Sequence, residues 1–223
     1  MRFFLLIVLI LRVDSVAFSQ DTELLLQKLR SKVEAVNDYR AEAELKTDVS
    51  FLNVPVSNLT ILFKKPDEFS IEKSNGITII PKGGLNANLF VVMKPGTYVS
   101  VDAGTASLDG KTLRVVKLLP NDDKSDILLA TVYIDEQKLL IRKIVTTTRQ
   151  SGTLEMLLNY GKYEKWALPD MVSIFFSTKD YKMPKGFTFD YEGGNASAKN
   201  GKKDTGQGKV EIRYKSYLIN KRT

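Results

Sequence analysis

The chain has 223 residues, 43% of them hydrophobic, and a formal net charge of +7, with no histidine and no cysteine. That length fits one domain of the all-β or α+β kind with a sizeable core. The missing residue types exclude a Ser-His triad, a thiol nucleophile, the usual imidazole and thiolate metal sites, and any disulfide.

The N-terminus opens on Met1-Arg2, continues with an apolar run from Phe3 to Leu11, and offers small residues at Ala17 and Ser19. This pattern predicts a secretory signal peptide over residues 1–19. Nine apolar residues are too few to span a bilayer. No cysteine follows the run, so no lipid anchor is expected and the product should be soluble outside the cytoplasm. Residues 20–223 would then form a single domain of net charge +6, an ordinary basic surface.

Asp21 to Tyr39 is predicted as a helix. Leu26, Leu29, Val33 and Val36 make one apolar stripe, Asp21 is placed to cap it, and Glu23 suits its first turn. A lone amphipathic helix followed by strands is expected to lie on a sheet face. Ala41–Phe51 reads as a first strand and Leu52–Pro55 as a turn. Ser57–Phe63 is a second strand, with Leu59, Ile61 and Phe63 on one face. The Lys64–Glu68 stretch breaks it at Pro66. Phe69 and Ile71 then begin a strand that Ser74-Asn75-Gly76 ends.

Ile77–Ile80, Leu89–Met93, Thr97–Val101 and Leu113–Leu119 are strand-like, with Leu85–Met93 open to a short helix instead. Pro81–Gly84 and Lys94–Gly96 are turns, and Leu108-Asp109-Gly110-Lys111 is a hairpin signal.

From Asp126 to Ser177 four apolar runs alternate with three polar turns. Val132 and Ile134 share a face, as do Leu154, Met156, Leu158 and Tyr160, and as do Val172, Ile174 and Phe176. Links this short predict an antiparallel meander. Tyr181–Asp190 holds a turn and a short strand at Phe187–Phe189. Residues 192–208 are rich in Gly, Asn, Ser and Lys and are expected to be a mobile loop. Lys209–Leu218 alternates again and closes the sheet.

Motifs for chemistry are weak. Asn121, Asp122, Asp123 and Asp126 cluster oxygens, but their spacing matches no calcium loop. The Gly-Lys stretch at 194–203 lacks the spacing and the following helix of a phosphate loop. No carboxylate pair is placed for acid–base work, so no catalytic residue, metal or cofactor is expected. The aromatics do not form a base-stacking platform, which argues against nucleic acid. The apolar strand surface exceeds what one helix of about 28 Å covers. Either a filled core or a site for a hydrophobic ligand follows.

Several features together resemble the LolA-type periplasmic lipoprotein carriers and their relatives LolB, LppX and the RseB sensor domain. A signal peptide precedes one amphipathic helix. A strand ends in Leu62-Phe63-Lys64-Lys65-Pro66-Asp67-Glu68-Phe69. The pair Val132–Asp135 and Leu139–Lys143 follows, then Tyr160 with Leu168-Pro169-Asp170-Met171-Val172-Ser173-Ile174.

The resemblance implies an α+β, mainly β fold: a strongly curved, unclosed antiparallel half-barrel with an N-terminal helix and lid segments over its concave face. It implies a monomeric, non-enzymatic periplasmic carrier of lipoprotein acyl chains or lipids, serving outer-membrane lipoprotein sorting between an inner-membrane donor and an outer-membrane acceptor. An envelope-stress sensor or protein-interaction module of the same fold is the alternative. The acyl chains would lie on the residues listed above by strand, from Leu59 to Phe176. Lys65, aligned with the carriers' Arg before Pro, is the candidate lid latch, and the lid itself is expected near Gly83–Gly104.

Overall fold

The computed structural model describes residues 15–49, 52–53, 55–66, 68–73, 95–149, 152–178, 197–198 and 206–221. The expectations for Ile77–Met93 and for Tyr181–Asp190 lie outside these residues, as does the chain before Ser15.

One helix, α1, spans Ser15–Val33. It starts and ends six residues earlier than the stripe suggested, so Asp21 and Glu23 sit within it rather than at its first turn. The stripe itself is right: Leu26, Leu29, Val33 and Val36 are all buried, joined by Leu25. The last turn tightens through Ala35 N–H to the Lys32 carbonyl and Val36 N–H to the Val33 carbonyl. Beyond it the chain turns into the sheet, because Tyr39 finds partners there, opposite Phe63 on one side and Ile219 on the other.

The strands are β1 (Asp38–Val49), β2 (Leu52–Asn53), β3 (Ser57–Lys64), β4 (Glu68–Lys73), β5 (Tyr98–Leu108), β6 (Lys111–Pro120), β7 (Ile127–Asp135), β8 (Leu140–Thr148), β9 (Gly152–Asn159), β10 (Met171–Ser177), β11 (Ser197–Ala198) and β12 (Gln207–Ile219). All pairings among them are antiparallel. The main order is β4-β3-β1-β12-β10-β9-β8-β7-β6-β5; the two-residue β2 pairs with the last residues of β1, and β11 pairs with β2. Leu52–Asn53, expected as a turn, is thus a strand. Ser197–Ala198, expected within a mobile loop, pairs with it. The lid expected up to Gly104 is absent over residues 98–104, which form β5.

The sheet is not closed: among the described residues β4 and β5 each have a partner on one side only. The β5–β6 hairpin turns at Asp109 and Gly110, both at positive φ (50° and 74°), as a tight two-residue link requires.

Cross-strand register explains the core. Val116, Val132, Ile144, Met156, Ile174 and Val210 form one row across six strands, each opposite the next. A second row runs through Leu118, Ala130, Thr146, Leu154 and Phe176 to Gly208. A side chain on Gly208 would stand 2.4 Å from the Phe176 ring, so the missing Cβ lets that ring lie flat across β12. Both rows face α1 and join its leucines in one apolar cluster.

Thr47 continues the first row, opposite Val210, and its buried hydroxyl has no hydrogen-bond partner. Thr47→Val keeps the shape and removes the unsatisfied group. It should stabilise the fold by about 1–2 kcal/mol, read as a rise in the urea midpoint at unchanged slope.

Candidate functional site

The fourteen residues singled out from the sequence come together on the face of the sheet that α1 covers. Ile61 lies between Ala41 and Ile71, and Phe63 between Tyr39 and Phe69. Val132, Met156 and Ile174 belong to the first row and Leu154 and Phe176 to the second. Leu158, opposite Val172, starts a third that continues through Ile212 to Leu45. Eleven of the fourteen are under 9% exposed, covered by the chain itself. Phe69, Ile71 and Tyr160 are only partly buried against the same cluster. The first two stand on β4, which among the described residues pairs only with β3. The face is therefore continuous, and its cover thins toward β4.

Sequence reasoning missed half of this face. Leu118, Ile144, Val210 and Ile212 are as buried as the residues it chose. The alternation that marks them was visible; their register across distant strands was not.

Lys65 directly follows β3, and most of the lid it was matched to lies outside the described residues. Its ammonium donates to the Glu34 carbonyl and to Asn37 Oδ1 at 3.3 Å, so it holds the carbonyl end of α1, where a cation is favourable. Asn220 works beside it. Its side-chain carbonyl accepts from Asn37 N–H at 2.6 Å and its amide donates to the Ala35 carbonyl at 2.9 Å. These bonds tie the exit of α1 to the last residues of β12.

The flank of α1 toward β5 is polar. Arg30 pairs with Glu23 (3.3 Å) and donates to Tyr98 Oη (3.1 Å). Arg114 pairs with Asp102 (2.6 Å) and Asp21 (3.4 Å). Asp21, expected to cap the helix, and Glu23, expected in its first turn, join Arg30 as the helix's side of this seam.

At the C-terminal end of α1 a second charged group forms. Asp135, 8% exposed, is held by Arg142 at 3.2 Å and by Lys138 N–H at 3.1 Å. The Arg142 guanidinium also covers the Tyr160 ring at 5.3 Å. Lys138 Nζ bonds both carboxylate oxygens of Glu164, at 2.9 and 3.0 Å, which lowers the Glu164 pKa. Lys32 donates to the Lys138 carbonyl at 2.7 Å, and burial lowers its pKa against the opposing pull of Glu164.

Tyr160 itself is anchored, its hydroxyl donating to the Ile141 carbonyl at 2.9 Å, and burial raises its pKa. Nearby, Tyr39, Phe63, Tyr163, Tyr214 and Tyr217 stack edge to face and face to face, with centroids 4.8–5.4 Å apart. Burial raises the Tyr39 and Tyr217 pKa values and pushes Tyr214 to about 12, so these phenols stay neutral.

The described residues hold no His, Cys, Asp and Glu group that could bind a metal. The acidic turn at 121–126 is held by Lys124 N–H donating to Asp122 Oδ1 at 2.8 Å and by Arg149, which donates to the Ser125 and Asp123 carbonyls, both at 3.1 Å. On the opposite face of the sheet, Thr153, Glu155, Leu157 and Phe175 border an open groove of about 490 Å³.

An open antiparallel half-barrel with one helix laid on its inner face defines the class of fold. Solved structures share it. One is a LolA superfamily protein from Nitrosomonas europaea, 10% identical, covering 89% of this chain and 94% of that one at a TM-score of 0.55. Another is a domain from Vibrio parahaemolyticus described as an outer membrane lipoprotein-sorting protein, at 11%, 90%, 92% and 0.55. A third is a DUF1329 family protein from Desulfovibrio piger, at 10%, 91%, 93% and 0.59. At these identities the likeness is one of fold. No protein-family model matches the sequence, and no curated protein does.

Proposed function

We propose that this protein is a non-catalytic carrier of acyl chains, belonging to lipids or lipoproteins, in the periplasm. The observation that carries the reading is a continuous apolar face that runs out, only partly covered, at Phe69 and Ile71 on the open edge. Hydrocarbon entering there would replace contacts that the chain otherwise makes with itself. Each buried methylene contributes about 0.8 kcal/mol, so a few carbons suffice for useful affinity. Release needs an acceptor that binds the chain more tightly. The fold shared with a lipoprotein-sorting domain supports the same reading. Lys65 and Asn220 would keep the exit of α1 fixed while ligand comes and goes.

The direct test is mass spectrometry of lipid extracted from protein purified without detergent. A near-stoichiometric acyl lipid is expected. Protein that carries none and also takes up no fluorescent fatty acid would end the proposal.

A further inference from the structure

The charged group at the C-terminal end of α1 contains more cation than its carboxylates neutralise. Lys32 from α1, Lys138 from the β7–β8 turn and Arg142 from β8 act on one another electrostatically, with Asp135 and Glu164 as the acids among them. Both acids are already engaged. Asp135 accepts from Arg142 and from Lys138 N–H, and Glu164 takes both oxygens to Lys138. Lys32 is left with a backbone carbonyl at 2.7 Å and, among the described residues, no carboxylate within ion-pair distance. Arg142, whose side chain is 13% exposed, buries its Nε–H with no acceptor. A half-buried ammonium without a counter-ion and a buried guanidinium donor without an acceptor both raise the energy of the empty state. One anion held between them lowers it.

The position matters as much as the charge. Arg142 lies over Tyr160, which is partly exposed and packs on the apolar face. Val33, Leu140 and Ala167 pack against the same tyrosine. A ligand with its hydrocarbon on that face would bring a polar end to these three cations.

We propose that Lys32, Lys138 and Arg142 seat a single anionic group, phosphate or carboxylate, of the ligand bound on the apolar face. The inference rests on the acyl-carrier reading and narrows it to lipids with an anionic head.

The experiment is calorimetric titration with dihexanoyl phosphatidylglycerol, dihexanoyl phosphatidylcholine and inorganic phosphate, on the native protein, Lys32→Met and Lys32→Arg. The glycerol lipid should bind the native protein about tenfold more tightly than the choline lipid, a difference of about 1.4 kcal/mol. The preference should vanish in Lys32→Met, which keeps the aliphatic stem, and return in Lys32→Arg. Equal affinity for the two lipids overturns the anion seat and leaves the carrier reading standing. Binding of neither lipid overturns both. Phosphate that binds the native protein and not Lys32→Met, with the lipids undiscriminated, assigns the seat to a soluble anion and overturns its place in the lipid site.

Discussion

Ile71→Glu is expected to abolish acyl-chain uptake while the protein stays folded. Ile71 lies opposite Ile61 on the inner face, but it stands on the edge strand and is only partly buried. In the empty protein a carboxylate there can reach water past β4. With hydrocarbon seated against Ile61 and Phe63 it cannot, and an unpaired carboxylate in an apolar site costs several kcal/mol. A loss of roughly 3 kcal/mol or more, about a hundredfold in affinity, should appear in titration with a fluorescent fatty acid. Circular dichroism and the urea midpoint should change little. Undiminished uptake by the folded variant would move the binding face elsewhere. A charge at Met156 or Ile174 is a poorer probe: both are buried by the chain itself, so the variant would lose its fold before its ligand.

The second large effect concerns stability. Ile174 is fully buried in the six-strand row, between Met156 and Val210. Ile174→Ala should cost about 2–5 kcal/mol, through lost transfer energy and the cavity left behind. Its neighbour Phe175 points to the other face and is 37% exposed, with Lys209 over its ring at 5.5 Å. Phe175→Ala should cost well under half as much. Urea denaturation of the two variants, side by side, measures the contrast directly. Similar costs would mean that the inner face is not the core.

What could be read in advance was whatever depends on neighbours along the chain. The meander from β7 to β10 was legible because period-two alternation and short polar turns are local signals. The stripe of α1 was legible for the same reason. Its ends were not: Tyr39 leaves the helix because Phe63 and Ile219 receive it, and both are remote in sequence. Asp21 looked like a capping group because its partner, Arg114, lies 93 residues away. The candidate face was chosen from strands with strong alternation. Val116, Ile144 and Val210 stayed off it, since only register across the sheet puts them in the row. Lys65 was matched to a latch by its place before Pro66, and that position does reach α1. There its ammonium bonds the Glu34 carbonyl and Asn37 Oδ1, while most of the expected cover lies outside the described residues.

The adjacency of β1 and β12 sets a condition on how the molecule assembles. Eleven register pairs join the first strand to the last, and that seam unites the β4-β3-β1 leaf with the β10-to-β5 leaf. Synthesis therefore delivers two part-sheets whose raw margins must wait for the thirteen residues of β12 to insert between them. Contacts this distant in sequence make for slow folding. A newly delivered chain would spend that interval with its future midline exposed, the period in which holding chaperones and aggregation compete for it.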